Sequence, residues 1–233
     1  MTIRAIAFDL DGTLSDTEPL HYEAFAEVMR PGGIEIPRDE YFSRLIGLND
    51  HDCFVTLLRE HGQDADDARV TELIERKAIV YGAMIANRDV FYPGAHVFVR
   101  RCAERFPLIL VTGTLHAEAE VILRRAGVRD LFVDIIAAED TARGKPEPDG
   151  FLTALGRLGF ILRPHPGIVA AECLAVEDTA AGVEAAQRAG MRVLALCQTT
   201  TASELRAADI IRPTIGKTDL DDVLRRLATL APR

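Results

Sequence analysis

The stretch Phe8-Asp9-Leu10-Asp11-Gly12-Thr13-Leu14 closes an apolar run, Ile3 to Phe8. It reads as a β-strand that ends in two carboxylates one residue apart, followed by a glycine that lets the chain turn. Residues i and i+2 of a strand point the same way, so Asp9 and Asp11 reach one pocket while Leu10 points elsewhere. Two acids converging there either shift each other's pKa or share a cation. Asp-x-Asp-Gly is also ordinary turn composition. The choice between a turn and a site rests on what later segments supply.

Downstream of this strand the pattern is first helical. Helices are expected over Thr17–Met29 with Asp16 or Thr17 as cap, Arg38–Leu45, Asp50–His61 and Asp66–Ala86, with little strand signal between them. Phe91-Tyr92-Pro93-Gly94-Ala95 is turn-like and closes the block. From Gly94 helices and strands alternate. The expected helices are Ala95–Arg105, His116–Ala126, Asp149–Leu158, Ala180–Ala189, Ala202–Ala207 and Leu220–Leu230. The expected strands are Leu108–Thr112, Phe132–Ala137, Cys173–Glu177, Arg192–Cys197 and Asp209–Ile211. Alternation of this kind implies parallel βαβ crossovers and a doubly wound α/β sheet, whose strands read as continuous apolar runs because helices cover both faces. The expected domains are a Rossmann-like core over 1–14 and 93–233 and an inserted all-helical cap over 15–92, placed over the sheet's carboxyl edge where such folds bind ligands.

Three further segments follow strand ends. Thr112-Gly113-Thr114 offers hydroxyls and amides for phosphate oxygens at a helix N-terminus, and it is equally a common strand-to-helix turn. Lys145 lies between Gly144 and Pro146-Glu147-Pro148, a stiff backbone that would aim its ammonium, though loop lysines are commonly solvated. Glu177-Asp178 ends an apolar strand before Ala180-Ala181-Gly182; acids there cap a helix or ligate Mg²⁺.

Bulk properties narrow the class. Of 233 residues 48% are hydrophobic, enough for a core without a staple. No apolar run approaches the ~20 residues that span a bilayer, and Asp9 and Asp11 interrupt any signal-peptide layout, so a cytoplasmic protein with no membrane partner is expected. Cys53, Cys102, Cys173 and Cys197 are widely spaced without a C-x-x-C pair and are expected to be reduced. The formal net charge of -9 argues against nucleic acid as a partner.

Taken in order, the four segments resemble the motifs of the haloacid dehalogenase superfamily. The helical insert resembles the cap of its phosphatase and β-phosphoglucomutase-like branch. The resemblance implies Asp9 as nucleophile, forming an aspartyl-phosphate, and Asp11 as general acid and then base. It implies Mg²⁺ held by Asp9, the backbone carbonyl of Asp11, and Asp178, with Glu177 joining directly or through water. Lys145 would screen charge between Asp9 and phosphate, and Thr112, Gly113 and Thr114 would bind phosphate. Dehalogenases lack the second acid and the related cation-pumping ATPases carry Thr there, so Asp11 points to phosphoester chemistry.

Within that branch Thr17 and His21, at i and i+4, and Lys77 match cap residues of the mutases. Asp50, however, stands where mutases carry a phosphate-binding Arg, and its charge would repel a second phosphate unless Arg44 or Arg88 compensates. The expectation is therefore a Mg²⁺-dependent phosphatase acting on a small phosphorylated metabolite, as a monomer or small homo-oligomer. A phosphosugar mutase is the alternative, and a non-catalytic binding protein with this fold is a third reading. The cap is expected to open and close through the chain crossings near Leu14–Asp16 and Phe91–Gly94, its 46–51 loop meeting the leaving group.

Overall fold

The computed structural model describes residues 2–45, 48, 50–162 and 167–231. In chain order its elements begin with β1 (Ala5–Phe8), α1 (Glu18–Met29), α2 (Arg38–Glu40), α3 (Asp50–Glu60) and α4 (Asp67–Asn87). They continue with α5 (Ala95–Ala103), β2 (Leu108–Val111), α6 (His116–Arg125), β3 (Phe132–Ile136), α7 (Asp149–Ile161) and β4 (Cys173–Glu177). The last are α8 (Ala180–Arg188), β5 (Arg192–Leu196), β6 (Ile210–Arg212) and α9 (Leu220–Thr229). The chain forms two compact units, residues 17–88 and the remainder, with the crossings at Asp16–Thr17 and Arg88–Asp89.

The larger unit is a Rossmann-like α/β fold. Its six strands are all parallel, in the order β3-β2-β1-β4-β5-β6. Strand order reverses about β1, which pairs with β2 on one side and β4 on the other; such a switch point opens a crevice at the carboxyl ends of the strands. Every residue of β1, β2, β4 and β5 is buried, which explains why these strands read as unbroken apolar runs rather than alternating ones. One face packs Ala7, Ile109, Ala175 and Val193 against Phe151, Leu158 and Ala186. On the other, Phe8 meets Phe98 and Phe132 edge-on, with centroids 6.2 and 6.1 Å apart. The register decides the chemistry: Phe8 lies opposite both Leu110 and Val176, so β1, β2 and β4 end side by side. Asp9 continues the ladder for one more bond, its amide donating to the Val176 carbonyl at 3.0 Å.

The smaller unit packs α1 and α3 on α4. Phe25, Val28, Phe54, Leu57, Leu58 and Val70 form its core. Asp66 caps α4, accepting from the Arg69 amide at 2.8 Å. At α1 the Thr17 side chain makes no cap bond; its backbone carbonyl instead accepts from the Leu20 and His21 amides. Pro19, with no N–H, lowers the need for a side-chain cap there.

Three expectations are corrected. The helix expected over Arg38–Leu45 is three α-helical residues followed by a π turn over Tyr41–Leu45. Residues 202–207, expected as a helix, form successive turns. There Thr201 is bonded through its amide and hydroxyl to the Glu204 carboxylate, and a single turn of chain is too short to pay for helix nucleation. The last strand is Ile210–Arg212, one residue later than expected, because the Asp209 side chain turns away to accept from Arg192 and the Val193 amide. Ile46, Gly47 and Asn49, part of the loop expected to meet the leaving group, lie outside the described residues. Among the described residues no helix is long and apolar enough to cross a membrane. All four cysteines are free; Cys53, Cys102 and Cys173 are buried, which pushes each thiol up to about 12.

Candidate active site

The end of β1 delivers Asp9, the end of β4 delivers Glu177 and Asp178, and the loop between β3 and α7 delivers Lys145. These four side chains converge although Lys145 lies 136 residues from Asp9. The Lys145 ammonium donates to Asp9 Oδ1, pairs with Glu177 Oε1 at 2.5 Å, and reaches the Val111 carbonyl at 3.3 Å. The Lys145–Pro146 peptide is cis. Asp9, Glu177 and Asp178 are buried and each offers an oxygen within 4.8 Å of the others.

The electrostatics follow from three buried acids sharing one ammonium. Burial raises the Asp9 pKa well above the usual carboxylate range; Glu177 and Asp178 add to this, and Lys145 opposes it. Burial, then Glu177, lifts Asp178 to about 6, against hydrogen bonds from Thr199 and Thr13 that hold the charged form. For Lys145 burial works against the charge, yet Asp9 and Glu177 outweigh it and raise its pKa.

Asp178 accepts from Thr13 Oγ1 at 2.8 Å on one oxygen and from Thr199 Oγ1 on the other. The acids do not cap α8. Thr179 does, accepting from the Gly182 amide at 3.0 Å. Glu177 Oε2 accepts from the amides of Asp178 and Thr179, which fixes its side chain beneath the helix. Two glycines make room for this packing. A Cβ on Gly12, whose φ is +79°, would overlap Asp178, and one on Gly182 would overlap Glu177.

Asp11 sits two residues beyond Asp9 and is half-buried; its carboxylate accepts from Thr114 Oγ1. In this arrangement the Thr114 hydroxyl, expected among the phosphate-binding groups, is engaged with Asp11. The Thr112 amide is spent on the Ile136 carbonyl, and its hydroxyl accepts from the Thr114 amide at 3.0 Å. The start of α6 is occupied as well, since the His116 amide donates to the Glu139 carboxylate. Gly113 is exposed at the turn, and Thr112, Gly113 and Lys145 line one cavity of about 480 Å³ with Arg143 and Phe151.

His21 and Lys77 belong to the other unit, where they meet each other. Lys77 Nζ lies 2.8 Å from His21 Nδ1 and donates to both oxygens of Asp50 at 2.8 and 2.9 Å. Lys77 is 3% exposed, so its ammonium meets these partners rather than solvent. His21 stacks on Tyr81 with centroids 4.2 Å apart, and burial, then the Lys77 charge, lowers its pKa to about 3, so the imidazole is neutral. Neither arginine considered as compensation for Asp50 reaches it. Arg44 pairs with Glu40 and Glu60, and Arg88 with Glu23.

The donors suit a hard divalent cation. They are carboxylate oxygens, buried, and more numerous than the local positive charge balances. Sequence reasoning missed Thr13 as a partner of Asp178, although it stands inside the opening motif.

A family model for haloacid dehalogenase-like hydrolases matches residues 3–190. The chain belongs to the haloacid dehalogenase-like hydrolases. As a member of this family it is an enzyme, and its curated relatives include phosphatases and a phosphosugar mutase. It is 32% identical over 206 residues to validoxylamine A 7'-phosphate phosphatase of Streptomyces hygroscopicus subsp. limoneus, covering 88% of this chain and 90% of that one. It is 31% identical over 195 residues to β-phosphoglucomutase of Bacillus subtilis, covering 81% of each. Among solved structures, CbbY from Rhodobacter sphaeroides in complex with phosphate is 27% identical, with a TM-score of 0.76 over 93% of this chain and 96% of that chain.

Proposed function

We propose that this haloacid dehalogenase-like hydrolase is a Mg²⁺-dependent phosphatase of a small phosphorylated metabolite, a sugar phosphate or similar monoester. The reading rests on one observation: Asp9, buried at the strand tip, is paired with Lys145 and grouped with Glu177 and Asp178, while Asp11 lies two residues on. Asp9, Asp178 and the Asp11 carbonyl would hold the cation, with Glu177 joining directly or through water. When bound, the ion supplies positive charge against the phosphoryl oxygens.

The chain's own groups do the rest. A carboxylate oxygen of Asp9 attacks phosphorus, and the bond to the leaving oxygen breaks as Asp11 gives that oxygen its proton. The products of this half are an alcohol and an aspartyl-phosphate. Water then attacks the same phosphorus and Asp11 takes its proton. The bond to Asp9 breaks, and inorganic phosphate leaves with both acids restored. Lys145 holds Asp9 in place and offsets charge as phosphate approaches. Thr112 and Gly113 orient phosphate oxygens, and Thr114 aims Asp11.

The Asp50–Lys77 pair favours a phosphatase over a mutase. A mutase must grip a bisphosphate while it reorients, and the ammonium that the mutase resemblance points to is already matched by a carboxylate. Phosphate release from a panel of phosphorylated metabolites, with and without Mg²⁺, tests the proposal. Metal-dependent release is expected. Isomerisation of a sugar phosphate without phosphate release would reverse it, and no turnover of any ester, p-nitrophenyl phosphate included, would leave a binding protein.

A further inference from the structure

The loop that follows β5 carries Gln198-Thr199, and both side chains reach across to the catalytic turn. Gln198 Nε2 donates to the carbonyls of Gly12 at 2.8 Å and Thr13 at 2.9 Å, while its Oε1 accepts from the Ile215 amide at 2.9 Å. Three bonds of matching polarity fix the amide's orientation. The turn needs them. Its internal bonds use the Leu10 and Ser15 carbonyls, and those of Gly12 and Thr13 point to Gln198. Next door, Thr199 Oγ1 donates to Asp178 Oδ2, and Thr199 Cγ2 lies 3.0 Å from the Cβ position that Gly12 leaves empty. With Thr13 on Oδ1 at 2.8 Å, each oxygen of Asp178 receives one hydroxyl. That sets the plane of the carboxylate and leaves lone pairs for a ligand.

We infer that Thr199 and Gln198 are positioning residues, Thr199 for the cation-binding carboxylate of Asp178 and Gln198 for the turn that carries Asp9 and Asp11. The inference rests on the phosphatase reading in taking Asp178 as a cation ligand and, for Gln198, in taking Asp9 and Asp11 as the groups that turn over a phosphate ester. Groups that orient metal ligands commonly contribute 10–100-fold in affinity or activity. A loop that merely stapled the fold would move stability and leave ion affinity alone.

The test is titration of the full chain with Mn²⁺ alone, followed by the electron paramagnetic resonance of the free ion, for wild type, Thr199→Val and Thr199→Ser. Thr199 is exposed, so the valine variant is expected to fold, and the melting temperature verifies this. The valine variant should bind Mn²⁺ roughly tenfold more weakly, and the serine variant, which keeps the hydroxyl, should recover wild-type affinity within about twofold. Gln198→Leu should lower kcat for p-nitrophenyl phosphate roughly tenfold with KM changed less than about twofold. Equal Mn²⁺ affinity for wild type and Thr199→Val, or a serine variant as weak as valine, overturns the role of Thr199. An unchanged kcat overturns that of Gln198. A wild type that binds no Mn²⁺ is a different failure, one that removes the cation site and the inference together.

Discussion

Each unit pairs one lysine ammonium with carboxylate oxygens, and the two differ in what surrounds it. In the larger unit Lys145 faces Asp9 and Glu177 with Asp178 beside them, so negative charge exceeds positive. In the smaller unit Lys77 faces one carboxylate, Asp50, and a neutral imidazole, His21, so the charges balance. Buried charge is costly unless it is matched. An unbalanced cluster therefore implies a missing positive partner, whereas a balanced one needs none. The proposed chemistry is assigned to the first cluster, and the second has the properties of a fixed polar element.

The sharpest way to break this contrast is at the nucleophile. Asp9→Asn should reduce turnover by at least about a thousandfold. It also removes one of the crowded negative charges, so the melting temperature should hold or rise. Wild-type-like turnover in that variant would end the assignment of Asp9.

Removing the ammonium sharpens it next. Lys145→Met leaves three buried carboxylates with no cation among them, which should cost about 3 kcal/mol in denaturant unfolding. Added Mg²⁺ should recover part of that loss for Lys145→Met. If Mg²⁺ has no effect on its midpoint, the cluster is not a cation site.

In the smaller unit the expected effect is lower. Asp50→Asn strips Lys77 of its counter-charge, but Asp50 is about one-third exposed (34%), so water softens the loss to roughly 1–2 kcal/mol. Combining it with Lys77→Met should restore most of that stability. Additive losses in the double variant would show that the pair is not a coupled unit.

Acid should act on the two clusters in opposite directions. The folded pKa of Asp178 is raised to about 6, so between its ordinary value near 4 and 6 the folded state holds more protons than the unfolded one. Stability from Asp178 therefore grows as pH falls through 6. The folded pKa of His21 is lowered to about 3, so between 3 and 6.5 the unfolded state holds more protons and stability falls as pH drops. At pH 5 the contribution is about 1 kcal/mol for Asp178 and about 2 kcal/mol for His21. In metal-free protein, Asp178→Asn should make acid more damaging and His21→Phe should make it less so. Parallel pH–stability curves for wild type and either variant would refute the corresponding shift.

Much of this was written locally in the chain. Unbroken apolar runs such as Ile3–Phe8 and Cys173–Val176 signal strands covered on both faces, and the helical block after the first strand is visible as a break in the alternation. The acids, hydroxyls and lysine that follow strand ends could be picked out because parallel strands bring their carboxyl ends to one edge. Short-range bonding misled the reading at 202–207, where Thr201 and Glu204 tie a turn that composition presents as helix.

What a residue type and its neighbours determine, then, is the strand ending in Asp9-x-Asp11 and the order of the segments that could complete a site. Tertiary structure alone decided that the Thr114 hydroxyl meets Asp11, that Thr199 and Gln198 bond to Asp178 and the turn, and that Lys77 is buried against Asp50. Those outcomes depend on partners from 21 to 186 positions apart. No local pattern encodes which distant polar group a side chain will meet, because that choice is made by strand register and helix packing, which bring the groups together only after the core has formed.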